Sequence, residues 1–354
     1  MHVVICGGGV IGACTAYFLT GRGIAVTVVE RAGVANAASG KAGGFLALDW
    51  CDGSPLDALA RRSFGLHAQL ARDVAADCGH RPLTAYAGYL VPHAGHAVLD
   101  WVSDRVQITA RLGSPETTAI VDPAKFTRAM MRAAENQGAV LREGCVTGLS
   151  RDGAKLRGVQ VDGARIDADA VVIAMGPWSL LAADWLPLPP VLARRSPSLI
   201  FDTGGDVPAD ALFLDFEDET GTPVTIEVFP RAGGHTYVTA FSTQGTAPEA
   251  PAAVVPEKGE LEKLLALCRL VSPAFEHARI VAQQACARPI TQDLMPLIGA
   301  VPGIAGAYVA TGHNAWGILN APATGEALAI LIAGEEPEVD LRPFDPARMR
   351  AAKR

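Results

Sequence analysis

Three glycines near the start of the chain have the spacing of a phosphate-binding turn. Gly7, Gly9 and Gly12 lie between a short apolar run, 2–6, and an amphipathic stretch, 10–20. In a strand–turn–helix unit the first glycine permits the tight turn, the second lets a pyrophosphate approach the backbone, and the third lets the helix pack closely on the strand. The positive end of the helix dipole then faces the phosphates. This spacing predicts a dinucleotide site.

A second apolar run and an acid complete this unit. The run 25–29 ends at Glu30. An acidic residue at this place accepts hydrogen bonds from the ribose hydroxyls of the adenosine half. Glycine-rich turns also occur for purely structural reasons, but here both strands and the terminal acid are in register. The pattern therefore favours dinucleotide binding over a structural turn.

The composition is typical of a soluble enzyme. A length of 354 residues suits two intertwined domains, and a hydrophobic content of 49% is enough for a sizeable core. The net charge of −7 argues against nucleic acid and anionic membranes as partners. Seven cysteines without a CxxC pair indicate buried thiols in a reducing compartment, so we expect a cytoplasmic protein. We expect no signal peptide, because the first apolar run lacks a basic flank, and no membrane span, because the apolar run 327–333 is too short. His93 and His96 have no acidic or cysteine partner nearby, so no metal site is expected.

The rest of the chain alternates between nucleotide-fold and β-rich segments. Helices are predicted at 54–78, 122–138, 259–270 and 320–333, a helical patch at 98–112, a meander at 146–169 and a buried strand at 170–174. These elements predict an α/β protein, α+β overall, with discontinuous domains. The predicted cofactor domain comprises 1–80, 139–185 and 286–354, and the predicted substrate domain comprises 81–138 and 186–285.

Five segments spread along the chain form one consistent set of motifs. They are GGGVIG at 7–12, ASGKAGG at 38–44, VVIAMGPWS at 171–179, ARPITQDLMPLIG at 287–299 and TGHNAWGILNAPATGEALA at 311–329. In order and spacing they resemble the glycine oxidase, D-amino-acid oxidase and sarcosine oxidase family of flavoproteins. The resemblance implies a Rossmann-like FAD-binding domain of the glutathione-reductase type, with an inserted β-rich substrate domain over the flavin. It also implies oxidation at a carbon bearing an amine, by hydride transfer to the flavin.

The motifs and the resemblance together predict the cofactor contacts. Small residues in the loop 38–44 would let backbone N–H groups reach the flavin ring. The helix after Gly312 would point its N-terminus at the flavin N1–C2 carbonyl edge, where negative charge collects on reduction. The resemblance gives Val146 a backbone contact with the adenine. The predicted contacts are Gly7, Gly9, Val10, Gly12, Glu30, Arg31, Ser39, Lys41, Ala42, Gly43, Gly44, Val146, Ala174, Gly176, Trp178, Gly312, His313, Asn314, Gly317 and Ile318.

Two cations are predicted to act in catalysis. Lys41 would place a positive charge where it could stabilise reduced flavin or superoxide; the alternative is a solvated lysine. In glycine and D-amino-acid oxidases the Arg–Pro that matches Arg288 holds the substrate carboxylate, and the guanidinium fork suits that task. The alternative for Arg288 is a structural ion pair. Ala315 and Trp316 stand where glycine oxidase has an arginine and an asparagine, which favours a bulkier or more apolar substrate than glycine.

Cys286 raises the question of how the flavin is held. In sarcosine oxidase members a cysteine at this register carries the flavin through a thioether, which makes a covalent link possible here. Those members lack the Arg–Pro that follows Cys286 in this chain, and the Arg–Pro members hold FAD noncovalently. We therefore favour noncovalent FAD and a buried, inert thiol.

The electron acceptor leaves two further alternatives. An oxidase passes electrons to O2, whereas a dehydrogenase of the same fold, acting on an amino acid or a 2-hydroxy acid, passes them to a quinone or carrier. A nonredox nucleotide-binding protein is the third class. The flavin-side segments 39–44 and 312–318 argue against it, because a module that binds only ADP does not need them.

Overall fold

A computed structural model describes residues 1–349 except 75, 94, 96 and 219. The strands are β1 His2–Cys6, β2 Ala25–Glu30, β3 Phe45–Ala47, β4 Arg81–Pro82, β5 Thr84–Leu90, β6 Val106–Gly113, β7 Thr118–Ile120, β8 Val140–Glu143, β9 Val146–Asp152, β10 Lys155–Val161, β11 Ala164–Asp167, β12 Ala170–Ile173, β13 Leu192–Asp202, β14 Asp210–Glu217, β15 Pro223–Pro230, β16 His235–Thr239, β17 Thr243–Gly245, β18 Arg279–Ile290, β19 Leu297–Ala300 and β20 Ala307–Thr311. The helices are α1 Val10–Thr20, α2 Ala38–Lys41, α3 Asp57–Asp73, α4 Pro123–Asn136, α5 Glu260–Val271, α6 Ala274–His277 and α7 Gly317–Ile332.

A six-stranded sheet carries the N-terminal motif. Its strand order is β19-β20-β12-β1-β2-β8, and every pairing is parallel except that of β19 with β20. Alternate residues of β1 face opposite sides: Val3 and Ile5 pack towards α1, while Val4 and Cys6 pack towards β10 of the meander. Because both faces are covered, the central strands are continuous apolar runs, as expected for a parallel sheet. This arrangement confirms the Rossmann-like prediction.

A second, large sheet is almost entirely antiparallel. Its order is β17-β13-β16-β15-β14-β5-β6, with β18 paired to β13. Leu199 and Phe201 of β13 pack against α5 and α6 on one side. The other side, here called the inner face, carries Ile200, Phe229 and Tyr237 and packs against the segment that follows α2. The inner face is thus turned towards the six-stranded sheet's loops.

Several elements differ from the sequence-based predictions. The helical patch predicted at 98–112 is wrong, because part of it forms β6, antiparallel to β5. Apolar and polar residues alternate in Val106–Gly113 with a period of two, which fits a strand. Helix α7 begins at Gly317 rather than at residue 320, so its N-terminus reaches the motif 312–314.

Two contacts cross the predicted domain boundaries. Helix α4 lies within 81–138 but packs on α1 beside the six-stranded sheet, through Phe126 and Met130. Strand β18 runs through residue 286 and stays paired to β13 as far as Ile290. The division into two domains therefore remains a prediction, and the boundaries at 138 and 286 do not coincide with the packing. His96 and the last five residues of the basic C-terminus lie outside the described residues.

Candidate cofactor and substrate site

A cleft lies at the carboxyl ends of the parallel strands, where α/β sheets place ligands. Most of the predicted site residues line it: Gly7, Gly9, Val10, Glu30, Arg31, Ser39, Ala42, Val146, Ala174, Gly176, Trp178, Arg288, His313, Asn314, Gly317 and Ile318. The other predicted residues, Gly12, Lys41, Gly43, Gly44 and Gly312, do not line this cleft. The sequence motifs therefore meet at one cleft, but only some of their residues line it.

The three glycines of the N-terminal turn separate into two roles. A Cβ on Gly7, whose φ is +115°, would lie 2.4 Å from the Ala174 carbonyl oxygen, and one on Gly12 would lie 2.0 Å from the Gly7 carbonyl oxygen. A Cβ on Gly9 would meet only the Ser39 hydroxyl, at 3.1 Å. Gly7 and Gly12 are therefore required by the fold, whereas Gly9 leaves open the space that a ligand needs.

Glu30 is held rigidly at the mouth of the cleft. Its Oε2 accepts from the Gly8 N–H and its Oε1 accepts from the Ala32 N–H, both at 2.7 Å. A carboxylate has about four acceptor sites, so the remaining ones can accept from ribose hydroxyls. The two hydrogen bonds therefore fix the orientation of the Glu30 carboxylate.

Arg31 and Trp178 form a clamp beside Glu30. The Arg31 guanidinium lies over the Trp178 ring, 5.3 Å from its centroid, and donates to the Glu249 carbonyl at 2.9 Å. The Trp178 indole N–H donates to the Pro248 carbonyl at 2.7 Å. The clamp ties the segment after β17 to the cleft.

The turn before α7 presents unsatisfied polar atoms to the cleft. Among the described residues, the buried Oδ1 of Asn314, whose φ is +51°, has no hydrogen-bond partner, and neither has the buried Nδ1 of His313. The Nε2 of His313 lies 3.1 Å from the Thr324 hydroxyl, and burial lowers the pKa of His313 to about 3, so the ring is neutral. Buried polar atoms are normally paired, so these two atoms fit a polar ligand in the cleft.

Helix α7 contains a proline, and two residues of α3 form hydrogen bonds with backbone groups of the helix around it. Pro322 has no N–H, so the Ile318 carbonyl loses its donor within the helix. The His67 Nε2 lies 2.9 Å from that oxygen and 3.2 Å from the Leu319 oxygen. Ser63, one turn earlier on α3, accepts from the Ala323 N–H at 2.9 Å. These contacts fix the N-terminal turn of α7 at the cleft.

Sequence reasoning missed both α3 residues. Burial lowers the pKa of His67 to about 4, so it acts as a neutral donor. Pro322, inside a predicted helix, could have indicated that such residues exist, because a buried proline implies that another element supplies the missing donor.

The loop after α2 is docked onto the inner face by a buried arginine. Arg231 donates to the Ala42 carbonyl at 2.5 Å, lies 5.2 Å from the centroid of the Tyr237 ring and is 3.8 Å from the Asp122 carboxylate. A Cβ on Gly43 would lie 2.5 Å from the Phe229 ring. Docking this loop therefore requires a very small residue at Gly43.

Gly44 and Gly312 also serve the fold. A Cβ on Gly44, at φ +94°, would lie 2.2 Å from the Val121 oxygen, and one on Gly312, at φ +81°, would lie 2.8 Å from a Thr291 methyl. Both glycines position neighbouring cleft residues without lining the cleft themselves.

Lys41 and Cys286 share a smaller space beside the main cleft, which is too narrow to hold a water molecule. Cys286 is buried, and burial raises the pKa of its thiol, an effect that the positive charges of Arg288 and Lys41 oppose. All seven cysteines are free thiols. Lys41 is thus a cation near the predicted substrate region, separated from the N-terminal turn.

Arg288 has no acidic partner within ion-pair distance in the described part of the chain. Its Nη2 donates to the Ser196 hydroxyl at 3.1 Å, while its buried Nε has no partner. The half-buried guanidinium lines the cleft beside Pro289. This arrangement does not match the structural ion pair that was the alternative for Arg288, and it leaves hydrogen-bond donors for a ligand.

An aromatic cluster forms the wall between the inner face and α7. Phe45, Trp50, Phe213 and Phe229 have neighbouring ring centroids 4.9 to 5.4 Å apart, and Trp316 lies 6.3 Å from Trp50. Of these, sequence reasoning named only Trp316. The others come from separate strands and loops, and no local motif joins them.

The part of the chain that the structure describes contains no group of three or more His, Cys, Asp and Glu side chains that could hold a metal ion. One stretch, Asn314–Ile332, is long and apolar enough to cross a membrane by length and composition, and 67% of its most apolar window is buried inside the protein. The α7 part of this stretch packs on α1 and α3.

Comparisons with known proteins agree with the geometry of the site. Residues 2–331 match the family model DAO, described as FAD dependent oxidoreductase. The chain is 30% identical to the glycine oxidase of Pseudomonas putida, with 98% of each chain covered. The crystal structure of glycine oxidase from Geobacillus kaustophilus superposes with a TM-score of 0.82 at 27% identity, covering 98% of both chains. L-proline dehydrogenase from P. horikoshii shares the fold, with a TM-score of 0.81 at 19% identity over 98% of this chain and 97% of that one.

Proposed function

We propose a function from one premise: the chain belongs to the DAO family of FAD-dependent oxidoreductases. It is an enzyme, and its cofactor is FAD. We propose that it oxidises the C–N bond of an amino-acid-like, carboxylate-bearing amine by hydride transfer to FAD. The observation that carries this proposal is Arg288, whose guanidinium lines the cleft and has no acidic partner within ion-pair distance among the described residues.

The residues of the cleft fit FAD. Gly9 leaves space for the pyrophosphate next to the N-terminus of α1, Glu30 offers acceptors to the ribose, and Val146 would contact the adenine. The unpaired atoms of His313 and Asn314 and the N-terminus of α7 suit the polar edge of the flavin. Bound FAD supplies the hydride acceptor, so the protein's task is to hold and orient the substrate.

The substrate-binding role of Arg288 follows from its donors. A guanidinium can donate two parallel hydrogen bonds to a carboxylate. The Ser196 hydroxyl accepts one N–H and holds the fork in place. Ala315 lines the cleft at the position where glycine oxidase has an arginine, which favours a bulkier or more apolar substrate than glycine.

We propose O2 as the electron acceptor, supported by the cation Lys41 near the substrate region. The alternative is an FAD-dependent dehydrogenase that passes electrons to a quinone or carrier, and the shared fold of an L-proline dehydrogenase keeps it open. We further propose noncovalent FAD, because Cys286 is buried outside the main cleft. A cytoplasmic location agrees with seven free thiols.

Anaerobic flavin bleaching tests the proposal. The purified holoenzyme is mixed without oxygen with amino acids of both configurations, N-methyl amino acids, simple amines and 2-hydroxy acids, and the flavin absorbance is followed. We expect bleaching by carboxylate-bearing amines and little by amines without a carboxylate. Preferential bleaching by simple amines or by 2-hydroxy acids would contradict the proposal. Reoxidation in air then separates oxidase from dehydrogenase.

A further inference from the structure

An acidic side chain, Glu227, lies on the inner face in the middle of β15. Its cross-strand neighbours are Phe213 on β14 and Thr239 on β16, and the same row continues through β13 to Gln284 on β18. The Gln284 Nε2 donates to the Lys41 carbonyl at 3.2 Å. This row of side chains therefore faces the loop that follows α2, on the flavin side of the large sheet.

Glu227 has no hydrogen-bond or ion-pair partner in the part of the chain that the structure describes. The side chain is half-buried, and burial raises the pKa of its carboxyl group. The positive charge of Arg288 opposes that rise from a distance, without direct contact. A carboxylate in such a place costs free energy unless a cation or donor reaches it.

Glu227 and Arg288 are thus two complementary charges of the large sheet that do not neutralise each other. Arg288 on β18 has a buried Nε without a partner, and no ion pair joins it to Glu227 on β15. Glu227 shares its row with Gln284 of β18, and Arg288, four residues further along the same strand, lies on the same face of the sheet. Burying a charge without a partner costs free energy. A zwitterion would bring an opposite charge to both Glu227 and Arg288.

We infer that Glu227 binds the amino group of the substrate and accepts the proton of its ammonium form. The inference rests on the proposed function, in which Arg288 holds the carboxylate of the same molecule. In this step one N–H bond of the ammonium breaks, an O–H bond forms on the Glu227 carboxyl group, and the electron pair stays on nitrogen. The neutral amine that results can lose hydride from its α-carbon.

The charged and titratable groups around Glu227 are compatible with this role. Cys286 and Arg288 on β18 and Tyr237 on β16 lie on the same face of the sheet as Glu227. Burial raises the pKa values of Tyr237 and Cys286, so both stay neutral at neutral pH. Arg231 adds positive charge beside Tyr237 but is committed to the loop carbonyls and Asp122. Glu227 is therefore the group of this set suited to receive a proton.

Paired ligands with and without an amine test the inference. The probes are leucine with 4-methylpentanoate and phenylalanine with 3-phenylpropanoate, using both enantiomers of each amino acid. Binding to the FAD-loaded protein is followed by perturbation of the flavin spectrum under anaerobic conditions. The variants are Glu227→Gln and Arg288→Ala, with Glu217→Gln, an exposed carboxylate at the end of β14, as the matched control.

We expect Glu227→Gln to weaken amino-acid binding at least tenfold while the amine-free acids bind equally or more tightly. Arg288→Ala should weaken both members of each pair, and Glu217→Gln should change neither. Equal weakening of both members by Glu227→Gln, or no weakening, would overturn the inference and leave the proposed function intact. Binding unaffected by Arg288→Ala, or no binding of any probe to the wild type, would instead contradict the proposed function.

A pH profile provides the second readout. In the wild type, Glu227 removes the ammonium proton within the complex, so kcat/KM should stay high below the pKa of the substrate's amine. In Glu227→Gln only substrate that is already neutral reacts, so the acid limb of kcat/KM should move by at least one pH unit towards the amine pKa. An acid limb at the same pH in both proteins would show that Glu227 takes no proton.

Discussion

The cofactor side and the substrate side of this enzyme are built in opposite ways. On the cofactor side, Gly7, Gly9 and Gly12 lie within one turn, and Glu30 follows at the end of the next strand. On the side proposed to bind the substrate, Arg288 on β18 and its partner Ser196 on β13 come from strands far apart in the chain. The first site depends on local backbone geometry, which a short motif records. The second depends on sheet register, which a short motif does not record.

The largest effect is expected at Gly9. Gly9→Val should give a folded protein without FAD, because the branched side chain would fill the pyrophosphate space while meeting only the Ser39 hydroxyl of the protein. Gly12→Val should fail to fold, since even a Cβ would lie 2.0 Å from the Gly7 oxygen. The ratio of flavin to protein absorbance measures the loss.

Gly65→Val is the matched control, because a Cβ on Gly65 meets nothing within 4 Å. This variant should keep its flavin. Full flavin content in Gly9→Val would show that the N-terminal turn does not hold the pyrophosphate.

Arg231 connects the inner face of the large sheet to the loop that follows α2. Arg231→Met should lower the free energy of unfolding by about 3–5 kcal/mol, because it leaves buried loop carbonyls and Asp122 without their partner. On the same sheet, Arg279 is 73% exposed and pairs with Asp202, so Arg279→Met should cost about 0–1 kcal/mol. Urea titration of both variants measures the difference. Similar losses in the two variants would contradict a special role for Arg231 in docking the loop.

The stability of the holoenzyme should fall with acid through His67. Burial lowers the folded-state pKa of His67 from 6.5 to about 4. A neutral histidine is thus favoured by folding, and the stabilisation present above pH 6.5 is lost as the pH falls to about 4. This loss is about 3 kcal/mol, and His313, with its pKa lowered to about 3, adds to it at still lower pH.

Urea titrations between pH 4 and pH 7.5 measure this effect. His67→Gln keeps an N–H donor for α7 but does not titrate, so its stability should depend less on pH. A wild-type stability that is flat over this range would rule out a buried, neutral His67.

The smallest effect is expected at Cys286. Acid precipitation should release the flavin into the supernatant, because Cys286 is buried beside the smaller space and not in the main cleft. Cys286→Ser should leave the flavin content and spectrum unchanged. A yellow pellet that turns colourless in Cys286→Ser would reverse this prediction and show a covalent link.

Much of the fold and of the cofactor cleft could be predicted from the sequence. The strand–turn–helix motif located β1, α1 and Glu30, and the segment 311–329 located the turn before α7. Arg288 was singled out through its Arg–Pro motif. Each of these residues is marked by its neighbours in the chain.

The remaining features depend on contacts distant in sequence. Glu227 is an ordinary polar residue of an alternating strand until sheet register places it opposite Thr239 and near Arg288. Arg231 became visible only when the loop carbonyls it binds were located. The prediction of a helical patch at 98–112 ran across the turns before β6 and overlooked the period-two alternation of Val106–Gly113.

Anaerobic stopped-flow reduction of Arg288→Ala tests the central claim most directly. A charge-assisted pair of this kind is worth about 2–5 kcal/mol when one partner is removed. With carboxylate-bearing amines, kcat/KM for flavin reduction should therefore fall roughly a hundredfold or more. FAD content should stay at the wild-type level, and Arg288→Lys should restore only part of the rate. A fall of equal size for amines without a carboxylate, or no fall at all, would contradict the assignment of Arg288 to the substrate carboxylate.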